Sequence, residues 1–358
     1  MTDMILRIMA VGAVLGGLDC ILGNRWGFGS RFEEAFQLLG SIGLSMAGII
    51  CLAPVLSRLL GIVLLPLCGP IGLDPGIFGS ILAIDMGGYQ MAMDLAKDPE
   101  LGRFAGIVVS AIFGCTVVFT IPVGMGAMGE EDRPLFTRGI LLGLASMPAG
   151  IVAGGLAAGI SVGRILIFTL PVLLLSALLA FGLWKKPGAV AEGFRVFARW
   201  IRNLAILGLM LGAVAYMTGW QLLKDMVPLE EAMEVVCSIA IVMLGSMPLT
   251  ELLQRLLQKP FAWLGGKTGM NSVSMTALLV GMVSVVPALA MFPRMDRRGK
   301  VVNGAFLVCG ASCFAAHLGF AVGVEPDLVG ALLTAKLLGG LTGGLIALAA
   351  TKKEETAS

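Results

Sequence analysis

The chain has 358 residues, of which 57% are hydrophobic and only 13% charged, and its mean hydropathy is +0.94. So few polar side chains cannot cover a water-soluble protein of this size, and the composition points to a lipid bilayer as the solvent. A formal net charge of +2 gives no polyanion-binding signature, and no nucleic acid partner is expected.

Eleven apolar stretches fill the chain: residues 3–22, 36–57, 75–93, 104–129, 139–163, 165–184, 203–223, 232–250, 268–293, 301–324 and 328–350. Most reach the roughly 20 residues that a helix needs to cross about 30 Å of hydrocarbon. Helices are expected because backbone groups in lipid must bond within their own segment and the alternation of a barrel strand is absent. Trp26, Trp184, Trp200, Trp220 and Trp263 fall in loops or near segment ends, as an interfacial belt requires. The first segment contains Asp19 and runs into Gly23-Asn24-Arg25-Trp26 without a small-x-small cleavage site, so it reads as a retained helix. The seven cysteines are mostly inside apolar segments. Cys309 and Cys313 share a helix face without a ligand cluster, so they read as small buried residues, and neither a metal nor another cofactor is expected.

Sliding the chain against itself by 197 residues aligns residues 33–60 with 230–257 without a gap. The identities include Glu33/Glu230, Glu34/Glu231, Ser41/Ser238, Met46/Met243, Gly48/Gly245 and Arg58/Arg255. The same offset lays Gly102-Arg103 on Gly299-Lys300. The chain therefore reads as a single integral-membrane domain over 1–358. Repeat one covers 3–163, a linker helix 165–184, repeat two 200–350, and a short polar tail 351–358.

Eleven full crossings put 12 Lys and Arg residues on each face, which is no bias. Letting 75–93 and 268–293 dip in and return puts 18 on one face and 6 on the other, with Lys336 inside the last segment. A re-entrant second segment alone gives the same split, and the symmetry of the repeats favours both. The fold class expected is thus an all-α polytopic membrane protein of two inverted-topology repeats with paired re-entrant or broken helices. It has nine full crossings and two re-entrant segments, and the more basic face, with the C-terminus and Arg294 to Lys300, is cytoplasmic.

Both dipping segments carry helix breakers: Asp85-Met86-Gly87-Gly88-Tyr89 in the first, Ser284-Val285-Val286-Pro287 in the second. The ionisable residues inside apolar segments are Asp19, Asp85, His317 and Lys336, each costly in lipid. Asp19 lies near a segment end and reads as an interfacial or capping residue. Asp85, central and beside two glycines, reads as a ligand for substrate or a coupling ion. His317 has both a packing and a ligand reading. Lys336 reads as the partner of a buried carboxylate, and Asn303 as a donor and acceptor that also fits a cap.

The phrases Glu33-Glu34-Ala35-Phe36, Leu52-Ala53-Pro54-Val55-Leu56, Asp85-Met86-Gly87-Gly88-Tyr89, Met295-Asp296-Arg297-Arg298-Gly299-Lys300, His317-Leu318-Gly319-Phe320 and Lys336-Leu337-Leu338-Gly339-Gly340 resemble the ethanolamine permease family of bacterial ethanolamine-utilisation operons. The resemblance runs through nearly the whole chain. It implies a protein of the bacterial inner membrane, not an enzyme, that admits ethanolamine as a small-molecule substrate for its breakdown; a homo-oligomer is compatible with it. Two departures set the chain apart: Ala316 stands where family members tend to have an acidic residue, and Val285-Val286 where they tend to have amides. The alternative is an ion-coupled carrier for another small polar solute such as choline or an aminopropanol.

Ethanolamine at neutral pH is a small ammonium ion with one hydroxyl. A carboxylate can pair the ammonium, an aromatic face can add cation-π attraction, and an amide or imidazole can take the hydroxyl. The expected substrate site is therefore Asp85, Gly87, Gly88 and Tyr89 with Asn303 or His317, and Lys336 as charge partner. An integral-membrane enzyme would need a nucleophile-base or metal constellation, which a single histidine without clustered carboxylates does not supply. A membrane sensor would need a partner domain or a long tail, and Lys352 to Ser358 is short.

Overall fold

Apolar runs with no competing backbone partner close their own hydrogen bonds as helices, and they do so throughout a computed structural model that describes residues 2–84 and 87–355. The first two helices, α1 (Thr2–Ile21) and α2 (Phe28–Cys68), are joined by a tight turn organised by Asp19. Its carboxylate accepts from the N–H groups of Trp26 (3.0 Å), Phe28 (2.8 Å) and Gly29 (2.9 Å), so the capping reading holds. Helix α2 is longer than the expected 36–57, because the apolar run continues past Arg58 to Leu67 and the helix accommodates Pro54 and Pro66.

After α2 the chain makes a hairpin. A 3-10 helix, Pro75–Ile81, runs to a turn, and α3 (Gly88–Leu95) returns beside it. A Cβ on Gly76 would touch Ala96, and one on Gly79 would touch Ala92. The mouth is tied by Asp74, whose Oδ2 accepts from the N–H groups of Lys97 (3.0 Å) and Asp98 (2.8 Å). The next segment starts as α4 (Pro99–Phe104), widens into π-helical turns over Ala105–Gly114 and Thr116–Thr120, and ends as α5 (Ile121–Ala127). Then come α6 (Arg133–Ala157), α7 (Val162–Lys185), α8 (Pro187–Thr218) and α9 (Leu229–Thr268), the last again longer than the expected 232–250.

A second hairpin follows, of α10 (Ser272–Gly281) and α11 (Val285–Ala290). Its mouth is tied by Asp296, whose Oδ1 accepts from Asn271 N–H (2.9 Å) and Ser274 Oγ (2.6 Å) and whose Oδ2 accepts from Gly299 N–H (2.9 Å). The segment expected to be one helix over 301–324 is two, α12 (Arg297–Gly310) and α13 (Ala316–Val324), and α14 (Val329–Glu355) closes the chain. Among the described residues, seven helical segments are long and apolar enough to cross a membrane.

Glycine lets helix pairs approach closely. Helices α6 and α14 run antiparallel, with Gly150 against Gly339 and Gly154 against Ala335, and Arg138 reaches the carbonyl of Ala350. Helix α8 sits on α2, where a Cβ on Gly48 would lie 1.7 Å from the carbonyl oxygen of Ala205. Helix α1 sits on α9, where a Cβ on Gly245 would lie 2.0 Å from the carbonyl oxygen of Met9.

Burial alone would raise the carboxyl of Asp296, but the bonds from the Ser274 hydroxyl and the Asn271 and Gly299 N–H groups outweigh it and hold this group below its ordinary value. Asp296→Ala should lower the stability of the detergent-solubilised protein by about 2 kcal/mol at neutral pH, since it removes a helix cap and a tie together. A carboxyl depressed in the folded state contributes above its unfolded value and loses that contribution as pH falls through the folded value. The gap between the melting curves of wild type and Asp296→Ala should therefore narrow as the buffer is taken below about pH 4.

Candidate functional site

The first hairpin can turn because of its two glycines. Gly87 has φ of 85°, the left-handed region, and a Cβ there would meet Ile49 at 2.1 Å. A Cβ on Gly88 would meet Ser110 Oγ at 2.0 Å and the carbonyl oxygen of Leu82 at 2.5 Å. Ser110 Oγ itself donates to the Leu82 carbonyl at 2.5 Å, so the tip is fastened to the π-helical segment. Asp85 lies outside the described residues.

The second tip is fastened in a related way. The carbonyl of Gly281 accepts from Ser312 N–H (2.9 Å), and that of Met282 accepts from Phe314 N–H (3.0 Å). Ser312 and Phe314, between α12 and α13, thus spend their backbone donors on the hairpin rather than on a helix. Ser312 takes a φ of 54° there, an uncommon conformation for a non-glycine residue. The π-helical segment touches the end of α12, where Thr116 Oγ1 donates to the Val308 carbonyl at 2.8 Å.

Lys336 on α14 is fully buried, and its Nζ donates to the carbonyl of Ala111 at 2.8 Å. Ala111 neighbours Ser110, so the ammonium and the first hairpin tip bear on the same π-helical turn. Cys309 lies against Gly339 of α14, and α13, which carries His317, also packs on α14. His317 is buried, and its Nδ1 has no hydrogen-bond partner among the described residues.

Tyr89 and Asn303 go elsewhere. The Tyr89 hydroxyl donates to Glu325 Oε1 at 2.7 Å, and its ring meets Phe320 edge-on at 5.8 Å. Glu325 also receives Arg103, with contacts of 2.7 and 2.5 Å at Oε2. Asn303 Nδ2 donates to the carbonyls of Ser274 (3.0 Å) and Gly299 (2.9 Å), which ties α10 to α12 near the Asp296 mouth. Some 22 residues of chain separate Asn303 from Glu325. The structure therefore groups the hairpin turn, Lys336 and His317, puts Tyr89 at one rim in an ion-pair cluster, and leaves Asn303 toward the other end of the bundle.

Three contributors were missed in the sequence. Ser110, one of three hydroxyls in the apolar stretch 104–129, was a usable signal. Glu325 falls in the short connection between the apolar stretches 301–324 and 328–350 and carried no signal of its own. The Ala111 carbonyl becomes available through a local widening of the helix that no residue type announces. Among the described residues no cluster of three His, Cys, Asp or Glu side chains is placed to hold a metal ion, and the seven cysteines are free thiols.

Long apolar helices around a buried, charged and partly non-helical centre define a multi-pass α-helical membrane protein. A family model described as "Ethanolamine utilisation protein, EutH" matches residues 1–350. A Listeria monocytogenes protein named probable ethanolamine permease EutH is 37% identical over 341 residues, covering 95% of this chain and 91% of its own. An Escherichia coli K12 protein of the same name is 34% identical over 354 residues, covering 92% and 87%. The uncharacterized protein YxeR of Bacillus subtilis is 39% identical over 341 residues, covering 95% and 92%. No solved structure matches the chain. The chain belongs to the EutH family of ethanolamine utilisation proteins.

Lys336→Met keeps the bulk of the side chain while removing the ammonium from a buried, bonded position. It should destabilise the purified protein by roughly 1 to 3 kcal/mol, the cost of leaving the buried Ala111 carbonyl without its donor. A thermal melt in detergent should register this even when no substrate is present.

Proposed function

We propose that this protein is a permease that carries ethanolamine into the bacterial cytoplasm, built as two inverted repeats with nine full crossings and two re-entrant hairpins, its C-terminus cytoplasmic. The observation that carries the transporter reading is the meeting of two hairpin tips with the irregular middles of two spans, with Lys336 bonded into the same π-helical turn as the first tip. Non-helical backbone at membrane depth is tolerated where it is buried in protein or lines a cavity, and paired broken segments at the centre of inverted repeats mark substrate sites. The substrate is taken from the relatives named as ethanolamine permeases.

Two sets of contacts support the topology. The ion pairs Arg31–Glu251, Arg58–Asp225, Arg103–Glu325, Lys300–Asp132 and Arg164–Glu100 each join two connections between segments. With eleven full crossings, four of these five would have partners on opposite faces; with one returning segment, two would. With both hairpins returning, every pair lies on one face. The second set is the packing of equivalent elements on each other. Gly43 of α2 lies against Val236 of α9 while Arg31 reaches Glu251, so these equivalent helices run antiparallel, as α6 and α14 do. An in-plane twofold relating the repeats has this effect.

In the proposed site Asp85 pairs with the substrate ammonium beside the close-packed Gly87-Gly88 turn. Lys336 is the counter-charge of the pocket. Asn303 has both amide hydrogens engaged, so His317 Nδ1 is the better partner for the substrate hydroxyl. Tyr89 contributes its ring at the rim, since its hydroxyl is held by Glu325.

Asp85→Asn should abolish most ethanolamine uptake into liposomes at equal reconstitution. Tyr89→Leu and His317→Ala should lose less, because a charge interaction in a dry pocket outweighs a ring contact or one neutral hydrogen bond. Wild-type uptake by Asp85→Asn across a range of pH would overturn this site. For the topology, single cysteines at positions 60 and 97 should react with an impermeant thiol reagent from the same side; labelling from opposite sides would remove the first hairpin and the inverted symmetry.

A further inference from the structure

The connection with the most Lys and Arg residues, 185–202, takes no part in the proposed site. Arg195, Arg199 and Arg202 are spaced four and three residues apart on α8, so they share one face. The uninterrupted apolar part of α8 starts only after Asn203, which leaves the three guanidinium groups where a membrane surface would be. Trp184 and Trp200, 69% and 65% exposed, flank them as interfacial anchors.

Two adjoining grooves open beside this face. One, of about 710 Å³, lies between α5, α6, α7 and α8 and is lined by Arg133, Arg138 and Arg195. The other, of about 600 Å³, lies between α2, α5 and α8. Arg195, Arg199 and Arg202 stand at its charged end, and Leu44, Phe119 and Val123 form its apolar walls. Arg195 and Pro122 belong to both.

The charges in the grooves do not balance. Five arginines face two carboxylates, Glu130 and Glu192, and Glu192 is already paired with Arg195. Among the described residues Arg133, Arg199 and Arg202 have no carboxylate partner. At the positions displaced by 197 residues the sequence has Thr2 and Ile5 where α8 has Arg199 and Arg202. The repeat architecture therefore does not require this basic stripe.

We propose that the two grooves bind one anionic phospholipid, its phosphate held by Arg195, Arg199 and Arg202 and an acyl chain lying along α8 toward Ala205. Guanidinium forks match phosphate oxygens in pairs, and a basic pocket between membrane helices is where an acidic headgroup collects. The continuous apolar wall below the arginines selects a lipid over a free phosphate, which would leave that wall wet.

The test uses the full chain purified in detergent and followed by native mass spectrometry and thermal melting. Phosphatidylglycerol should be retained and should raise the melting midpoint, whereas phosphatidylcholine and inorganic phosphate should do neither. The variant Arg195→Gln/Arg199→Gln/Arg202→Gln should bind phosphatidylglycerol about tenfold or more weakly. A charge-matched control, Lys224→Gln/Lys259→Gln/Lys267→Gln, should bind as wild type does. Equal retention of phosphatidylcholine, undiminished binding by the arginine variant, equal loss in the control, or a full shift with inorganic phosphate would each overturn the site. Should the arginine variant not fold, a photoactivatable phosphatidylglycerol on wild type decides the matter. Crosslinks concentrated in 195–205 and 118–123 support the proposal, and uniform labelling of lipid-facing helices sinks it. None of these readouts depends on ethanolamine transport.

Discussion

Hydrocarbon offers no hydrogen bonds, so a membrane protein can unwind its backbone only where another part of itself supplies the missing partners. At the centre of this protein the parts that unwind are partners of one another. The Leu82 carbonyl at the first hairpin tip is met by Ser110, and the Gly281 and Met282 carbonyls at the second by the N–H groups of Ser312 and Phe314. The Ala111 carbonyl, in the widened segment, is met by the ammonium of Lys336. The irregularity is therefore a mutual arrangement, and no one of the four segments could keep its shape without the others.

Close packing makes that arrangement possible. A hairpin tip can seat against a span only if no side chain intervenes, and at Gly88 even a methyl group would collide with both Ser110 Oγ and the Leu82 carbonyl. The mouths of the hairpins obey a different rule. They lie where backbone donors emerge at helix starts, and single carboxylates, Asp74 and Asp296, collect those donors. Glycine at the tip and aspartate at the mouth divide the work of holding a turned-back segment in place.

Much of this was readable in the sequence. Apolar runs placed the helices, breakers and charge bias singled out 75–93 and 268–293, and Gly87-Gly88 marked the turn. The break at 311–315 was invisible because Ala-Ser-Cys-Phe-Ala contains no glycine or proline; its cause is the pair of carbonyls that the second hairpin presents to it. The lengths of α2 and α9 were underestimated because Arg58 and Arg255 read as loop residues, whereas Arg58 pairs with Asp225 and Arg255 with Glu251 from within continuous helices. Asn303 matched a ligand by type and depth, yet its two carbonyl partners come from Ser274 and Gly299, and the nearer of these in sequence is a residue that any helix offers.

The glycine crossings tie together parts far apart in the sequence. Helix α1 opens the first half of the chain but lies on α9 in the second, and α8 opens the second half but lies on α2 in the first. Each half thus lends its leading helix to the other, as two people shaking hands each close a hand around the other's. A half translated alone would expose the bed of the borrowed helix, a seam of small residues, to lipid. During synthesis α2 would wait for α8 to emerge, some 120 residues later, before its glycine face was covered.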